Sequence, residues 1–238
     1  MRGKADPPLT AGQFGPAVYA EWRASSLGEI TETLEHRLIF RLTGSLQGQS
    51  FLDVGCGDGT LAFACAQEGA AWVSGCDLDR RMVAKARAKA ASDGIRIGLA
   101  VAGAGALPFA DASFDVVTCI TMLTFVKDAD HAVREMARVL RPGGRLVIGD
   151  LNKWSFWAAR RRIRGWLGAT LWRAARFRTA RQLAAMAEDA GLTVGSVEGA
   201  IFFPPWTALA RLMAPLDRTL GRLSTMGAAF VAIKATKP

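Results

Sequence analysis

The sequence predicts an α/β fold: a doubly wound, mostly parallel sheet with helices on both faces. Three observations point to it. Short apolar runs alternate with helical runs from residue 50 onward. The strand-like runs are apolar at consecutive positions, as strands covered on both faces must be. The first of them ends in a glycine-rich turn that opens a helix. The chain has 238 residues, half of them hydrophobic and 21% charged. That supports one large core with decorations and excludes a disordered, collagenous or coiled-coil chain. A single domain over 1–238 is expected, with an N-terminal helical arm (1–43), a ligand-binding core (44–151) and a basic cap, helix and last strands (152–238).

The elements follow in order. Residues 1–16 are rich in Pro and Gly and read as a loose arm. Residues 17–43 read as helical, with Glu21, Glu29, Glu32 and Glu35 set between apolar positions. SFLDVG (50–55) is a strand, TLAFACAQEG (60–69) a helix closed by Gly69, and AWVSGCD (71–77) a second strand. RRMVAKARAKAASDG (80–94) is a helix closed by Gly94. IRIGLAV (95–101) and FDVVTCI (114–120) are the third and fourth strands. ADHAVREMARVL (129–140) is a helix stopped by Pro142-Gly143-Gly144, and RLVIGDL (145–151) is a fifth strand. TARQLAAMAEDAG (179–191) is a helix and LTVGSVEGAIFF (192–203) a strand. Pro204-Pro205 then opens a helical stretch over 206–223, and AAFVAIKA (228–235) is the last strand. This makes a seven-stranded, Rossmann-like sheet with one antiparallel strand in its edge region.

Cys56, Cys65, Cys76 and Cys119 are spread out without a CxxC pair. A disulfide scaffold or zinc ribbon is disfavoured, a reducing compartment fits, and no metal site is expected. No apolar run reaches the roughly 18 residues of a membrane span, and MRGKADPPLTAGQFG has no hydrophobic signal core. A cytoplasmic protein is therefore expected.

The net charge of +9 comes from 30 basic and 21 acidic residues. Lys153–Arg181 contains nine basic residues and no acidic one, which leaves the rest of the chain neutral. On a helical wheel over 154–177, Phe156, Ala159, Ile163, Trp166, Leu167, Thr170, Ala174 and Phe177 share one face. Arg161, Arg162, Arg164, Arg173 and Arg176 lie opposite, with Trp154, Trp157 and Trp172 among them, and Gly165 and Gly168 break the helix. One reading is an amphipathic cap whose apolar side closes a site and whose arginines are solvated. The other is an interfacial helix that brings 154–181 to an anionic membrane surface, with the protein peripheral at the inner membrane face. An acidic or lipid-like substrate would benefit from the same charge. Nucleic acid is disfavoured, because a nucleic-acid reader would spread its basic residues across a groove.

The most informative stretch is Leu52-Asp53-Val54-Gly55-Cys56-Gly57-Asp58-Gly59, where the first strand turns into the first helix. Ligands of doubly wound sheets bind beyond the strand C-termini at this place. Glycines there let backbone N–H groups approach a ligand without Cβ interference. Asp53 puts a carboxylate at the strand end, suited to a cationic amino group. Asp77, at the end of the second strand, can accept hydrogen bonds from both hydroxyls of a ribose. Loop and acids together predict an adenosine-bearing cofactor. The Gly-x-Gly-x-Gly spacing, followed by Thr60, departs from the GxGxxG of nicotinamide-dinucleotide enzymes, and the acid before it would oppose a phosphate.

With these residues the chain resembles a class I S-adenosylmethionine-dependent methyltransferase. LDVGCGDG resembles that family's first motif and CDLDRRMVAKAR its second. LPFADASFDVV (107–117) and REMARVLRPGGRLVI (134–148) are similar to the segments around its fourth and fifth strands. YAEWRASSLGEITETLE is similar to the arm that precedes the core in small-molecule members. The resemblance implies S-adenosyl-L-methionine as cofactor and methyl transfer to a small or amphiphilic acceptor by in-line displacement. It implies that Asp53, Gly55, Cys56 and Gly57 surround the methionine part, that Asp77 takes the ribose hydroxyls, and that Leu78 and Met82 pack on the adenine. Ala104 would offer its N–H to the adenine ring, Cys119 and Thr121 would meet the methionyl part through backbone atoms, and Tyr19 and Trp22 would lie near the sulfonium. Two departures stand out. Gly103 occupies the place of an adenine-binding acid, and Phe125 that of a histidine base. No catalytic base is assigned. His36 and His131 read as surface or partly packed residues. Two other classes stay open: a basic membrane-surface or interaction protein that keeps the cofactor fold without turnover, and an NAD-dependent oxidoreductase.

Overall fold

A computed structural model describes residues 21–238. Its strands are β1 (Ser50–Val54), β2 (Trp72–Asp77), β3 (Gly98–Val101), β4 (Phe114–Ile120), β5 (Leu140–Leu151), β6 (Thr193–Ala200) and β7 (Phe230–Thr236). They form one seven-stranded sheet in the order β3-β2-β1-β4-β5-β7-β6. The pairs from β3 through β5 are parallel. β7 is antiparallel to both neighbours, and it lies one place in from the edge, which β6 occupies. The helices are α1 (Ser26–Thr43), α2 (Thr60–Gln67), α3 (Arg80–Asp93), α4 (Ala129–Val139), α5 (Phe156–Trp166), α6 (Thr170–Ala174), α7 (Ala180–Asp189) and α8 (Thr207–Leu223). The expected loose arm over 1–16, Tyr19 and the first residues of the expected N-terminal helix lie outside the described residues.

The apolar runs split their side chains between two core layers, because successive strand residues point to opposite faces. Leu52, Val117, Cys119, Leu146, Ile148, Val231 and Ile233 face a layer closed by α4 and α7. Phe51, Val116, Val147, Phe230 and Ala232 face a layer closed by α1, α2, α8 and Trp157. Local signals set the helix ends. Asp79 caps α3 by accepting from the Arg81 N–H at 2.8 Å, and Gly94 ends it in the left-handed region at φ 65°. Thr179 and Gln182 form a capping box at the start of α7.

Several boundaries differ from expectation. α1 starts at Ser26 because the Ser25 hydroxyl accepts from the Gly28 N–H at 3.1 Å. β3 covers only Gly98–Val101, which is the part that reaches β2. β5 starts at Leu140, ahead of Pro142-Gly143-Gly144. Leu140 pairs with Phe114, and the register then shifts before Val116 meets Arg145. The proline and glycines thus form an irregularity inside a long strand. The last strand begins two residues late, at Phe230.

The strand order reverses at β1, which pairs with both β2 and β4. That arrangement opens a crevice beyond the C-terminal ends of these strands.

Candidate active site

The crevice is a cavity of about 770 Å³, within the roughly 300–1,000 Å³ of small-molecule sites. Its floor is the turn between β1 and α2. Gly55, Gly57 and Gly59 all take positive φ, at 78°, 54° and 84°. The Gly55 and Cys56 N–H groups donate to the Cys76 carbonyl at 2.8 and 3.0 Å, which ties the turn to β2. A Cβ on Gly57 would meet nothing within 4 Å, so the backbone there faces open space. A Cβ on Gly55 would lie 2.6 Å from Met122 Cγ, so that position admits only glycine.

Three acids border the turn, in three electrostatic settings. Asp58 is desolvated, yet hydrogen bonds from Lys85 and Thr60 and the charge of Arg23 hold it below the usual carboxylate range. Asp77 accepts from the Gly57 N–H at 2.9 Å and the Asp79 N–H at 2.8 Å. Each carboxylate oxygen keeps a second lone pair for a hydroxyl. Asp53 is buried at the end of β1, where the Thr118 hydroxyl donates to it at 2.8 Å. Burial pushes its carboxyl up to about 7, against the Thr118 hydrogen bond and helped by the charge of Asp77. A cation placed beside it would relieve that cost.

Leu78, Met82, Gly103, Ala104, Gly105 and His131 line the end of the cavity beside Asp77. Leu78 is an apolar side chain left largely exposed on that rim. Cys56 lines the cavity too; burial pushes its thiol up and leaves it no nucleophile. Thr121 also lines it, in the left-handed region at φ 52°. Its N–H donates to the Gly149 carbonyl at 2.7 Å, so of its backbone polar groups the carbonyl remains for a ligand. Cys119 does not reach the cavity and corrects the expectation of a ligand contact. It lies within β4, paired to Val54 and Ile148 and wholly buried, and the wall begins one residue later at Ile120. Trp22 lines the cavity; Tyr19 lies outside the described residues. Among the described residues no group of His, Cys, Asp or Glu could hold a metal ion.

The other half of the cavity lies between α1 and α5 and overturns the reading of the basic segment as a cap with its apolar side over the site and its arginines in solvent. Arg160, Arg161 and Arg164 line the cavity, while Phe156, Ile163, Trp166 and Leu167 are exposed. The cause is Trp157. Its indole N–H donates to the Phe203 carbonyl at 2.7 Å, and the ring joins the core layer of α1 and α8. That anchor turns the stripe 157, 161 and 164–165 inward. Gly165 completes the stripe, because a Cβ there would meet the Trp172 backbone at 3.0 Å. Of the two glycines expected to break the helix, Gly165 lies inside it, and the break falls at Gly168 with φ 104°. The Arg161 guanidinium sits between two indoles, 5.3 Å from the Trp157 ring centroid and 5.0 Å from that of Trp172.

Across the cavity, α1 contributes Glu32, Glu35 and His36. Burial pushes Glu35 up to about 7, against the charge of Arg161. Burial also lowers the His36 imidazole. The sequence placed Glu35 among the acids of the N-terminal helix and His36 as a surface or partly packed residue, and gave neither a role in the site. The available signal was the i, i+3, i+4 spacing of Glu32, Glu35 and His36 on one helix face.

Residues 52–148 match the family model described as a methyltransferase domain. The chain is 35% identical over 168 residues to a ubiquinone biosynthesis O-methyltransferase of Idiomarina loihiensis, which covers 68% of this chain and 69% of that protein. It is 42% identical over 127 residues to methyltransferase GfsG of Streptomyces halstedii, which covers 52% of this chain but only 45% of that relative. The chain thus spans less than half the length of the Streptomyces protein. Its fold matches a SAM-dependent methyltransferase of Thermotoga maritima with a TM-score of 0.68 at 23% identity, covering 92% of this chain and 94% of that one. The chain belongs to the S-adenosylmethionine-dependent methyltransferase family.

Proposed function

We propose that the protein transfers the methyl group of S-adenosylmethionine to a small acceptor with an apolar body. The observation that carries this reading is the single cavity joining the acidic cradle of β1 and β2 to the Trp- and Arg-lined chamber under α5. When bound, S-adenosylmethionine supplies a methyl group on a positively charged sulfur. In this reading Asp53 meets the amino group of the cofactor and Asp77 its ribose hydroxyls, with Gly55, Cys56, Gly57 and the Thr121 carbonyl along the methionine part. Leu78, Met82 and Ala104 flank the adenine. With the donor already activated, the chain's work is alignment and exclusion of water. Ile39, Leu151, Trp157, Trp172 and Phe125 supply an apolar wall for that purpose. Glu35 is the wall carboxyl suited to take a proton from a hydroxyl acceptor, since at about 7 it is half ionised near neutral pH.

The test is incubation of the protein with methyl-labelled cofactor and a metabolite extract, with calorimetry of S-adenosylhomocysteine alongside. Label in an extractable small molecule is expected. Absence of S-adenosylhomocysteine binding at saturation would remove the reading. Glu35→Gln should abolish the rise of turnover through pH 7 while leaving cofactor affinity unchanged.

A lipid-like acceptor taken from an anionic membrane surface is a second reading. No helix among the described residues is long and apolar enough to cross a membrane. The outward face of α5 nevertheless presents Phe156, Ile163, Trp166 and Leu167, and it continues through the Phe156–Trp206 ring contact at 6.5 Å toward Leu212 and Leu216 of α8. Apolar side chains flanked by Lys153, Arg162 and Arg173 suit the headgroup boundary of an anionic bilayer. Flotation with phosphatidylglycerol vesicles at low salt tests this; protein left at the bottom of the gradient would exclude it.

A further inference from the structure

We propose that Arg161 is the receptor for a carboxylate on the methyl acceptor, which makes the substrate class an acid on an aromatic or apolar frame. The inference rests on the methyl-transfer reading and extends it to the chamber under α5.

Arg161 is half-buried, lines the cavity and, among the described residues, has no ion pair within 4.0 Å. Its Nη1 is buried without a hydrogen-bond partner among those residues. A buried charged donor left in that state is costly, and the side chain that carries it forms part of the cavity wall. Its surroundings sharpen the demand. Burial is the largest influence on the guanidinium, and the neighbouring charges of Arg160 and Arg164 add repulsion, bringing it down to about 10. Two carboxyls act in the other direction. Glu35 is itself pushed up to about 7 by burial. Asp150 is pushed up to about 6 by burial and is already hydrogen-bonded to the Thr124 hydroxyl at 2.7 Å and the Leu151 N–H at 2.8 Å. Neither supplies Arg161 with a contact partner.

The geometry selects the ligand. Cation–π contacts with both Trp157 and Trp172 restrain the guanidinium in the cavity wall. A planar fork of N–H groups matches a carboxylate in two parallel hydrogen bonds. The walls around it are apolar: Trp157, Trp172, Phe125, Ile39 and Leu151. Glu32 and Glu35 on the facing helix disfavour a dianion, which sets a carboxylate apart from a phosphate ester. The cofactor half of the cavity carries Asp53 and Asp77 for a cationic donor, and the acceptor half sets Arg160, Arg161 and Arg164 opposite Glu32 and Glu35.

The experiment compares 2-naphthoate, its neutral amide 2-naphthamide and inorganic phosphate by calorimetry at pH 8, on the full chain saturated with S-adenosylhomocysteine. Naphthoate is expected to bind at least tenfold more tightly than naphthamide, a margin suited to a charge-assisted pair. Arg161→Met should erase that ratio while S-adenosylhomocysteine affinity stays within about threefold, which reports an intact fold. Arg161→Lys should retain only part of the ratio, because an ammonium keeps the charge but loses the fork. It serves as the readout if the methionine variant does not fold. Equal affinity for acid and amide in the wild type, an unchanged ratio in either variant, or phosphate preferred over naphthoate would each overturn the proposal. Failure of S-adenosylhomocysteine to bind the wild type would instead remove the methyl-transfer reading, and acid against amide can still be compared without it.

Discussion

Replacing Asp53 with asparagine separates two roles of one buried carboxylate. Asp53 is 3% exposed at the end of β1 and accepts from the Thr118 hydroxyl at 2.8 Å. Burial carries its carboxyl from 3.8 to about 7. The folded state thus holds the proton more tightly than the unfolded chain does. The associated stability is fully present below 3.8 and is lost as pH rises through 7. At 1.36 kcal/mol per pH unit, full ionisation costs the cofactor-free fold on the order of 4 kcal/mol. D53N keeps the shape and an oxygen for Thr118 but cannot ionise. The free variant should match the wild type near pH 4 and exceed it by pH 8, with most of the difference developing between pH 4 and 7. Glu35 and Asp150 titrate in both proteins and cancel in the comparison. Cofactor binding should change in the opposite direction. The amino group of S-adenosylhomocysteine would lose a charged partner, worth about 1.5–3 kcal/mol or tenfold to over a hundredfold in affinity. Urea unfolding at pH 4.5, 6 and 8, with calorimetry of S-adenosylhomocysteine, measures both. Parallel pH profiles for the two proteins, or unchanged cofactor affinity, would refute the reasoning.

Three further outcomes are expected. Asp77→Ala removes the acceptor of the Gly57 and Asp79 N–H groups along with the ribose partner; S-adenosylhomocysteine affinity should fall tenfold or more by calorimetry. Gly221→Ala puts a Cβ 2.0 Å from the Gly199 carbonyl oxygen, where α8 rests on β6. Because the obstacle is backbone, the urea midpoint should drop by the equivalent of about 1–3 kcal/mol. Exchanging both Trp166 and Leu167, 83% and 81% exposed, for glutamate should leave stability within about 0.5 kcal/mol per site. If the membrane reading holds, the same exchange should abolish vesicle flotation.

Most of the sheet could be read from the sequence because its strands are buried on both faces and bounded by turn residues. β4 over 114–120 matches the expected span residue for residue, and β2 differs by one. The less accurate boundaries lie where pairing, not composition, ends a strand. Pro142-Gly143-Gly144 reads as a stop after a helix ending at Leu140, but Leu140 pairs with Phe114 and the stretch lies inside β5. Ile95 and Arg96 look like strand and have no partner in β2.

The cofactor half of the site was legible for the same reason. Asp53, Gly55, Gly57 and Asp77 have positions dictated by one strand–turn–helix unit, and short-range spacing carries that information. Cys119 shows the limit, since a single residue decides between the strand and the cavity wall. The acceptor half depended on which way α5 faces. Hydrophobicity turned Phe156, Ile163, Trp166 and Leu167 inward and the arginines outward. The tertiary structure reverses this, because the Trp157 indole finds a carbonyl 46 residues away at Phe203 and carries Arg161 with it into the chamber. Composition and period alone determined the doubly wound sheet and the acid-flanked glycine turn. Only the assembled structure decided that the basic segment points into the cavity, since a helix's rotation is set by the long-range partners it meets.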